Sequence, residues 1–128
     1  MRLLAAALLS VVIPAKALAS GSISCSSEDG QASVELTVGS LPVLKIVRAT
    51  LSAGGRQWHT DGSGEAAMAI SQAFQDDETL RVDFTDPNVE RVLAKLRLFH
   101  VVEGKDAAMA GTVQVAGDGV WPLACIGP

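Results

Sequence analysis

Alternating apolar and polar residues identify two β-strands of this chain directly. Every second residue is apolar from Ser33 to Val38, and again from Leu80 to Thr85. A period of two is typical of a strand that buries one of its faces. The β-branched stretch from Val43 to Leu51, which follows Pro42, predicts a third and longer strand.

Glycine-rich turns divide much of the remaining chain into short strands. Gly54-Gly55 and the run from Asp61 to Gly64 are typical turn residues, and they bracket a short strand at 56–60. Gly104 to Asp106 and Asp118-Gly119 mark two later turns. We expect the corresponding strands at 66–74, 107–115 and 120–125. Because 66–74 is rich in alanine, a helix is the alternative there.

The stretch from Asp86 to Val102 carries signals for two kinds of structure. Asp86 suits a helix N-cap and Pro87 a first helical position, and apolar residues follow at helical spacing. From Leu96 onward the apolar residues alternate as in a strand. We expect a short helix near 87–92 that leads into a strand. A helix that continues through Phe99 is the alternative.

These elements predict an all-β fold, either an antiparallel β-sandwich or a small β-barrel of about eight short strands. The turns follow one another too closely for the crossover helices that a parallel sheet needs. Residues 20–128 suit one domain in length, and no repeat or linker divides them.

Residues 1–19 have the features of an export signal. Arg2 provides a positive start, and an apolar run from Leu3 to Ile13 follows that is too short to span a bilayer. Small residues precede a predicted cleavage site after Ala19, so we expect a periplasmic or secreted protein. The alternatives are a buried N-terminal helix, which would need a polar face, and a lipoprotein acylated at Cys25.

Removal of the signal changes the charge of the protein. Loss of Arg2 and Lys16 leaves eight Lys and Arg against 14 Asp and Glu, a net charge of −6. Nucleic acids and anionic membrane surfaces require clustered basic residues, which the chain does not have. We therefore expect neither kind of partner, and no membrane-spanning segment in the mature protein.

The two cysteines, Cys25 and Cys125, lie near the two ends of the mature chain. In an oxidising compartment they predict one structural disulfide that holds the ends together. A redox or metal-binding pair is the rival interpretation, and the chain lacks the C-x-x-C spacing that it would need. The size, export signal and disulfide are similar to those of small periplasmic β-domains such as lysozyme inhibitors, although no motif carries the likeness.

Residues that suggest catalysis are few. His59, Asp61 and Ser63 contain the types of a catalytic triad but lie in a glycine-rich turn, which favours a solvated loop. Paired carboxylates of a small hydrolase require two acids that converge in a pocket. The candidates for such a pair are Asp76, Asp77, Glu78, Asp83 and Asp86.

A copper site is the remaining chemical alternative, because His and Met are soft-metal ligands. The candidate ligands are His59, Met68, His100 and Met109. Packing and core hydrogen bonds explain the same residues without a metal, so we expect no cofactor.

The leading functional hypothesis is a non-enzymatic, exported binding domain with an unidentified partner, for which a protein is the candidate. Such a domain requires an exposed apolar or aromatic patch or an unpaired sheet edge. Trp58, between Arg56 and His59 at the border of a turn, is the candidate centre of that surface.

Overall fold

The computed structural model describes residues 21–39 and 43–128, which form one nine-stranded antiparallel sheet. The strands are β1 (Gly21–Ser26), β2 (Ala32–Val38), β3 (Ile46–Ala53), β4 (Arg56–His59), β5 (Ala69–Gln75), β6 (Thr79–Thr85), β7 (Val92–Glu103), β8 (Asp106–Val115) and β9 (Gly119–Ile126). A single 3-10 turn at Gly64–Ala66 is the only helical element of the described ranges. The predicted signal at 1–19 and its cleavage after Ala19 lie outside them.

Each strand pairs with its neighbour in sequence on both halves of the sheet, and β1 joins the halves by pairing with β9. The resulting order is β4-β3-β2-β1-β9-β8-β7-β6-β5. The sheet curls into a half-barrel whose open sides are the edges of β4 and β5. The all-β prediction is confirmed, whereas the expected sandwich or barrel of about eight strands is replaced by this nine-stranded half-barrel.

Period-two patterning is confirmed in β2 and β6. Alternate residues of these strands are buried, and Leu36, Val82 and Phe84 are fully inaccessible to solvent. β3 starts at Ile46 and ends at Ala53, slightly later than the predicted 43–51. The stretch predicted at 66–74 is a strand at Ala69–Gln75, so its helical alternative is wrong.

The short helix expected near 87–92 is wrong, and so is a helix through Phe99. Residues 86–91 form the loop between β6 and β7, and Val89 has a φ of 58° there. The Asp86 side chain accepts hydrogen bonds from the amides of Glu90 (2.7 Å) and Arg91 (3.1 Å). Asp followed by Pro favours a β-turn as well as a helix start, and pairing of β6 with β7 selects the turn.

The disulfide between Cys25 and Cys125 is confirmed. The two cysteines lie directly opposite each other on β1 and β9, with their Cα atoms 4.0 Å apart. Cys25 is buried among the apolar side chains of the inner face. Cross-strand pairing and the covalent bond therefore act at the same position, which fixes the seam between the first and last strands.

Candidate interaction surfaces

The structure places Trp58 in the core and not at the surface. Its side chain is 3% exposed, and the guanidinium of Arg56 lies 4.7 Å from the centroid of its ring. Arg56 also forms a 3.1 Å ion pair with Asp118, which ties the β3–β4 hairpin to the β8–β9 turn. His59 is half-buried at the end of β4. Of the predicted binding surface, only Arg56 and part of His59 are accessible.

His59 and Asp61, two residues of the triad hypothesis, contact residues outside the triad and not each other. The Nδ1 atom of His59 lies 3.3 Å from the Oγ1 atom of Thr50 on β3. Asp61 lies 3.8 Å from Arg48, and both of these side chains are largely exposed. The group beside Nδ1 of His59 is thus a neutral hydroxyl on the neighbouring strand. In a catalytic triad a carboxylate occupies this place.

Three of the carboxylates considered for a hydrolase, Asp76, Asp83 and Asp86, serve local structure. Asp76 accepts hydrogen bonds from the Glu78 amide and from the amide and hydroxyl of Thr79, which lowers the pKa of Asp76. Bonds from the amides of Arg91 and Glu90 lower the pKa of Asp86 in the same way. Asp83 forms a 2.8 Å ion pair with Arg97. A catalytic acid needs a raised pKa, and these two pKa shifts run in the opposite direction.

Acid is expected to destabilise the fold through Asp76 and Asp86, whose pKa values are lowered. A carboxyl with a lowered pKa contributes stability above its unfolded pKa and loses it as the pH falls through the folded value. The melting temperature should therefore decrease from about pH 5 towards pH 2. In Asp76→Asn, which retains one acceptor oxygen but not the charge, this decrease should be smaller by a few degrees in thermal melts followed by circular dichroism.

Asp77→Asn is the matched control, because it removes the same charge from the same exposed turn. It should leave the acid dependence nearly as it is in the wild type. If the acid-induced decrease in melting temperature became equally small in both variants, the effect would be assigned to overall charge and not to the hydrogen bonds that Asp76 accepts.

The soft-metal candidates separate into two pairs. The amide of Met68 donates to the carbonyl of His59 (3.1 Å), whereas His100 and Met109 lie opposite each other on β7 and β8. Within 21–39 and 43–128 there is no group of three or more His, Cys, Asp or Glu residues arranged to hold a metal ion. Across the same residues, no helix has the length and apolar character of a bilayer span.

An open sheet edge runs along β5. This strand pairs with β6 on one side and ends the sheet on the other, and its residues from Ser71 to Gln75 are exposed. Charged residues, proline or bulges usually protect such edges from pairing with other chains. β5 has a bulge at Ser71 but no charge and no proline. Four regular residues, Gln72 to Gln75, are therefore available for pairing.

A shallow hollow of about 280 Å³ lies beside this edge on the outer surface of the sheet. It is lined by Gln72, Phe74, Arg81, Asp83 and Arg97. Phe74 is 54% exposed and lies opposite Arg81 in the β5–β6 register. Aromatic residues and arginine are enriched at recognition surfaces, and here Phe74 and Arg81 lie beside Arg97, which pairs with Asp83.

A second exposed region, the outer apolar face, lies on three adjacent strands. It consists of Phe99 and Val101 on β7, Ala108 and Ala110 on β8, and Ala124 and Ile126 on β9. Phe99, Ala110 and Ala124 form one row across the sheet, and Val101 lies beside Ala108 in the next. The large side chains are 62% (Phe99), 59% (Val101) and 81% (Ile126) exposed.

The sequence contained a signal for the outer apolar face that the strand prediction did not use. From Leu98 to Val102 both alternating sets of residues contain large apolar side chains. A run of this kind is typical of a strand that is covered on both faces. Within the described chain the core covers Leu98 on the inner face, whereas Val102, further along that face, is 58% exposed.

Comparisons with protein-family models, curated proteins and solved structures find no match to this chain. Function is therefore inferred from the surfaces described above.

Proposed function

We propose that this protein is a non-enzymatic, exported binding domain that holds an extended segment of a partner protein along the edge of β5. The observation that carries the proposal is the uncharged edge at Gln72–Gln75, whose backbone is unpaired on one side. An extended segment gains affinity from main-chain hydrogen bonds at such an edge and specificity from neighbouring side chains. Phe74 and the hollow beside it supply the side-chain contacts.

Export is supported by the apolar leader at 1–19 and by the disulfide, which is compatible with an oxidising compartment. The hydrolase alternative receives no support from the acids, since Asp76 and Asp86 stabilise turns through ionised carboxylates. For the copper alternative, the structure brings together one His and one Met at each of two places, His59 with Met68 and His100 with Met109.

The β4 edge is the second candidate, because it contains the surface predicted around Arg56, Trp58 and His59. It is shorter than the β5 edge and partly covered, since Ala67 forms a parallel bridge with His59. Arg56 is also held by Asp118. These contacts leave less unpaired backbone on β4 than on β5, which is why β5 is preferred.

Charged substitutions on the two edges distinguish these candidates. With the purified protein as bait for the exported fraction, Gln72→Lys should reduce the capture of the partner, because an edge lysine opposes strand addition. Phe74→Ser should reduce it by about tenfold, as expected for loss of an aromatic anchor. Capture is measured by quantitative mass spectrometry.

Gln57→Lys on β4 is the matched control, because it makes the same exchange at an exposed residue of the opposite edge. A partner lost with Gln57→Lys and retained with both β5 variants would move the binding surface to the β4 edge, where Arg56 and part of His59 are accessible. If no captured protein differs among the wild type and the three variants, binding at a sheet edge is wrong.

A further inference from the structure

Two arginines lie directly opposite each other on the outer surface, close to the β5 edge. Arg81 on β6 is paired in register with Arg97 on β7, and Phe74 on β5 lies on the other side of Arg81. Like charges directly opposite each other on paired strands destabilise a sheet, so each guanidinium group gains from a nearby carboxylate. The carboxylates around them decide which of the two arginines is left for a partner.

Arg97 is held by neighbours within the sheet. Its Nη2 atom lies 2.8 Å from Oδ1 of Asp83. Its Nη1 atom donates to the backbone carbonyls of Leu96 (2.8 Å) and Val82 (3.4 Å). These contacts fix the guanidinium group against the strands, and the charges of Arg97 and Asp83 offset each other.

Arg81 has no comparable partner. Among the residues that the structure describes, its exposed guanidinium group forms no ion pair within 4.0 Å. Asp76 is the acid whose charge it affects. Hydrogen bonds from Glu78 and Thr79 are the main causes of the lowered pKa of Asp76, however, and the charge of Arg81 contributes least. The Asp76 carboxylate is thus engaged in its own turn, and Arg81 is left to face the hollow.

The hollow is the part of the β5 edge that attracts a carboxylate. Its lining contains two guanidinium groups and one carboxylate, a surplus of one positive charge. The turn at 76–78 contains three acids and lies beyond the end of β5, where it repels a carboxylate. At physiological ionic strength, screening over about 8 Å confines each effect to its own neighbourhood. The net charge of −6 on residues 20–128 therefore does not decide what enters the hollow.

A strand added to β5 brings its side chains to this hollow. Such a strand lies about 5 Å from β5 and about 10 Å from β6, where Arg81 is located. Every second residue of the added strand faces the outer surface, on the side of Gln72 and Phe74. A glutamate at one of these positions and the arginine on β6 are together long enough to meet over the gap between those two side chains.

We propose that the extended segment bound at the β5 edge carries an acidic side chain, which enters the hollow and pairs with Arg81. The inference rests on the function proposed for this edge and adds the chemistry of the partner. A planar guanidinium group binds a carboxylate through two parallel hydrogen bonds, which gives direction as well as attraction. Phe74 supplies the apolar contact beside this pair, and Arg81 selects the charge.

A random peptide mixture tests the charge preference without knowledge of the natural partner. Octapeptides that are acetylated and amidated, so that side chains alone carry charge, are equilibrated with the immobilised protein, and the bound fraction is sequenced by mass spectrometry. Asp and Glu should be enriched over Asn and Gln by up to about fivefold, as expected for an exposed ion pair. The enrichment should decrease in 0.5 M salt, where the Debye length is roughly halved.

Variants of Arg81 assign the preference to this residue. Arg81→Gln should abolish the enrichment of acids, and Arg81→Glu should replace it by enrichment of Lys and Arg. Arg81→Lys keeps the charge but not the planar group, so it should retain part of the enrichment and serves if the other exchanges disturb folding. Arg48→Gln is the matched control, because it removes a largely exposed arginine from the other half of the sheet. It should leave the enrichment unchanged.

The outcomes separate this inference from the function on which it rests. If Phe74→Ser reduces peptide capture but acids are not enriched, or stay enriched in Arg81→Gln, the acidic partner is wrong and binding at the edge stands. An equal loss of enrichment in Arg48→Gln and Arg81→Gln would also overturn the inference, because overall charge would then explain it. If no peptide is captured, or capture is unchanged in Phe74→Ser, the β5 edge does not bind extended segments and both proposals are wrong.

Discussion

Replacement of Cys25 and Cys125 together by serine is expected to lower the free energy of unfolding by roughly 3 to 5 kcal/mol. The disulfide closes a loop with a sequence separation of 100 residues, and opening it restores freedom to the unfolded chain. It also removes the covalent bond at the seam where β1 pairs with β9. Chemical denaturation of the oxidised wild type and of the double variant measures the difference.

Reduction provides the control for this experiment. A reducing agent should bring the wild type to the stability of the double variant and leave the double variant unchanged. If the two proteins differ by less than about 1 kcal/mol, well below the typical range, closure of the chain ends contributes little to the fold.

Phe84→Ala is expected to cost about 3 to 5 kcal/mol of unfolding free energy. Phe84 is fully buried on β6, where it faces the inner core of the half-barrel. Truncation removes most of a buried aromatic side chain and leaves a cavity that the surrounding strands fill only in part. The change in the midpoint of urea unfolding, at constant slope, gives its size.

Phe99→Ala makes the same chemical change on the opposite surface of the sheet. Phe99 is 62% exposed, so its loss should alter the stability of the monomer by no more than about 0.5 kcal/mol. Equal destabilisation by Phe84→Ala and Phe99→Ala would contradict the assignment of inner and outer faces.

The strand patterns show why much of the fold was accessible from the sequence. In β2 and β6 every second residue is buried, so the local alternation and the tertiary contacts agree. The disulfide was also predictable, because two cysteines in a protein expected to reach an oxidising compartment leave one intramolecular pairing. These inferences require only local periodicity and the chemistry of two side chains.

The loop at 86–91 shows where local signals were insufficient. Asp86 and Pro87 favour a turn and a helix start alike. The choice depends on Thr85 and Val92, which pair across β6 and β7 and hold the ends of the loop together. A contact between strands thus decided the conformation of the residues that connect them.

Trp58 shows that local signals were also insufficient to predict the candidate site. Its position beside a turn, with Arg56 and His59 as neighbours, is compatible with either a core or a surface role. Burial of the ring depends on β4 pairing with β3, which turns Trp58 towards Leu51 and the core. The outer apolar face and the β5 edge depend likewise on which strand lies beside which.

The sequence by itself determined the all-β class, several of the strands and the pairing of Cys25 with Cys125. These features follow from side-chain alternation and from a single available disulfide. The tertiary structure alone decided the order of nine strands, the half-barrel, the burial of Trp58 and the exposure of Phe74 and Phe99. The physical reason is that periodicity shows which residues share a face, whereas only strand pairing shows which faces and edges remain uncovered.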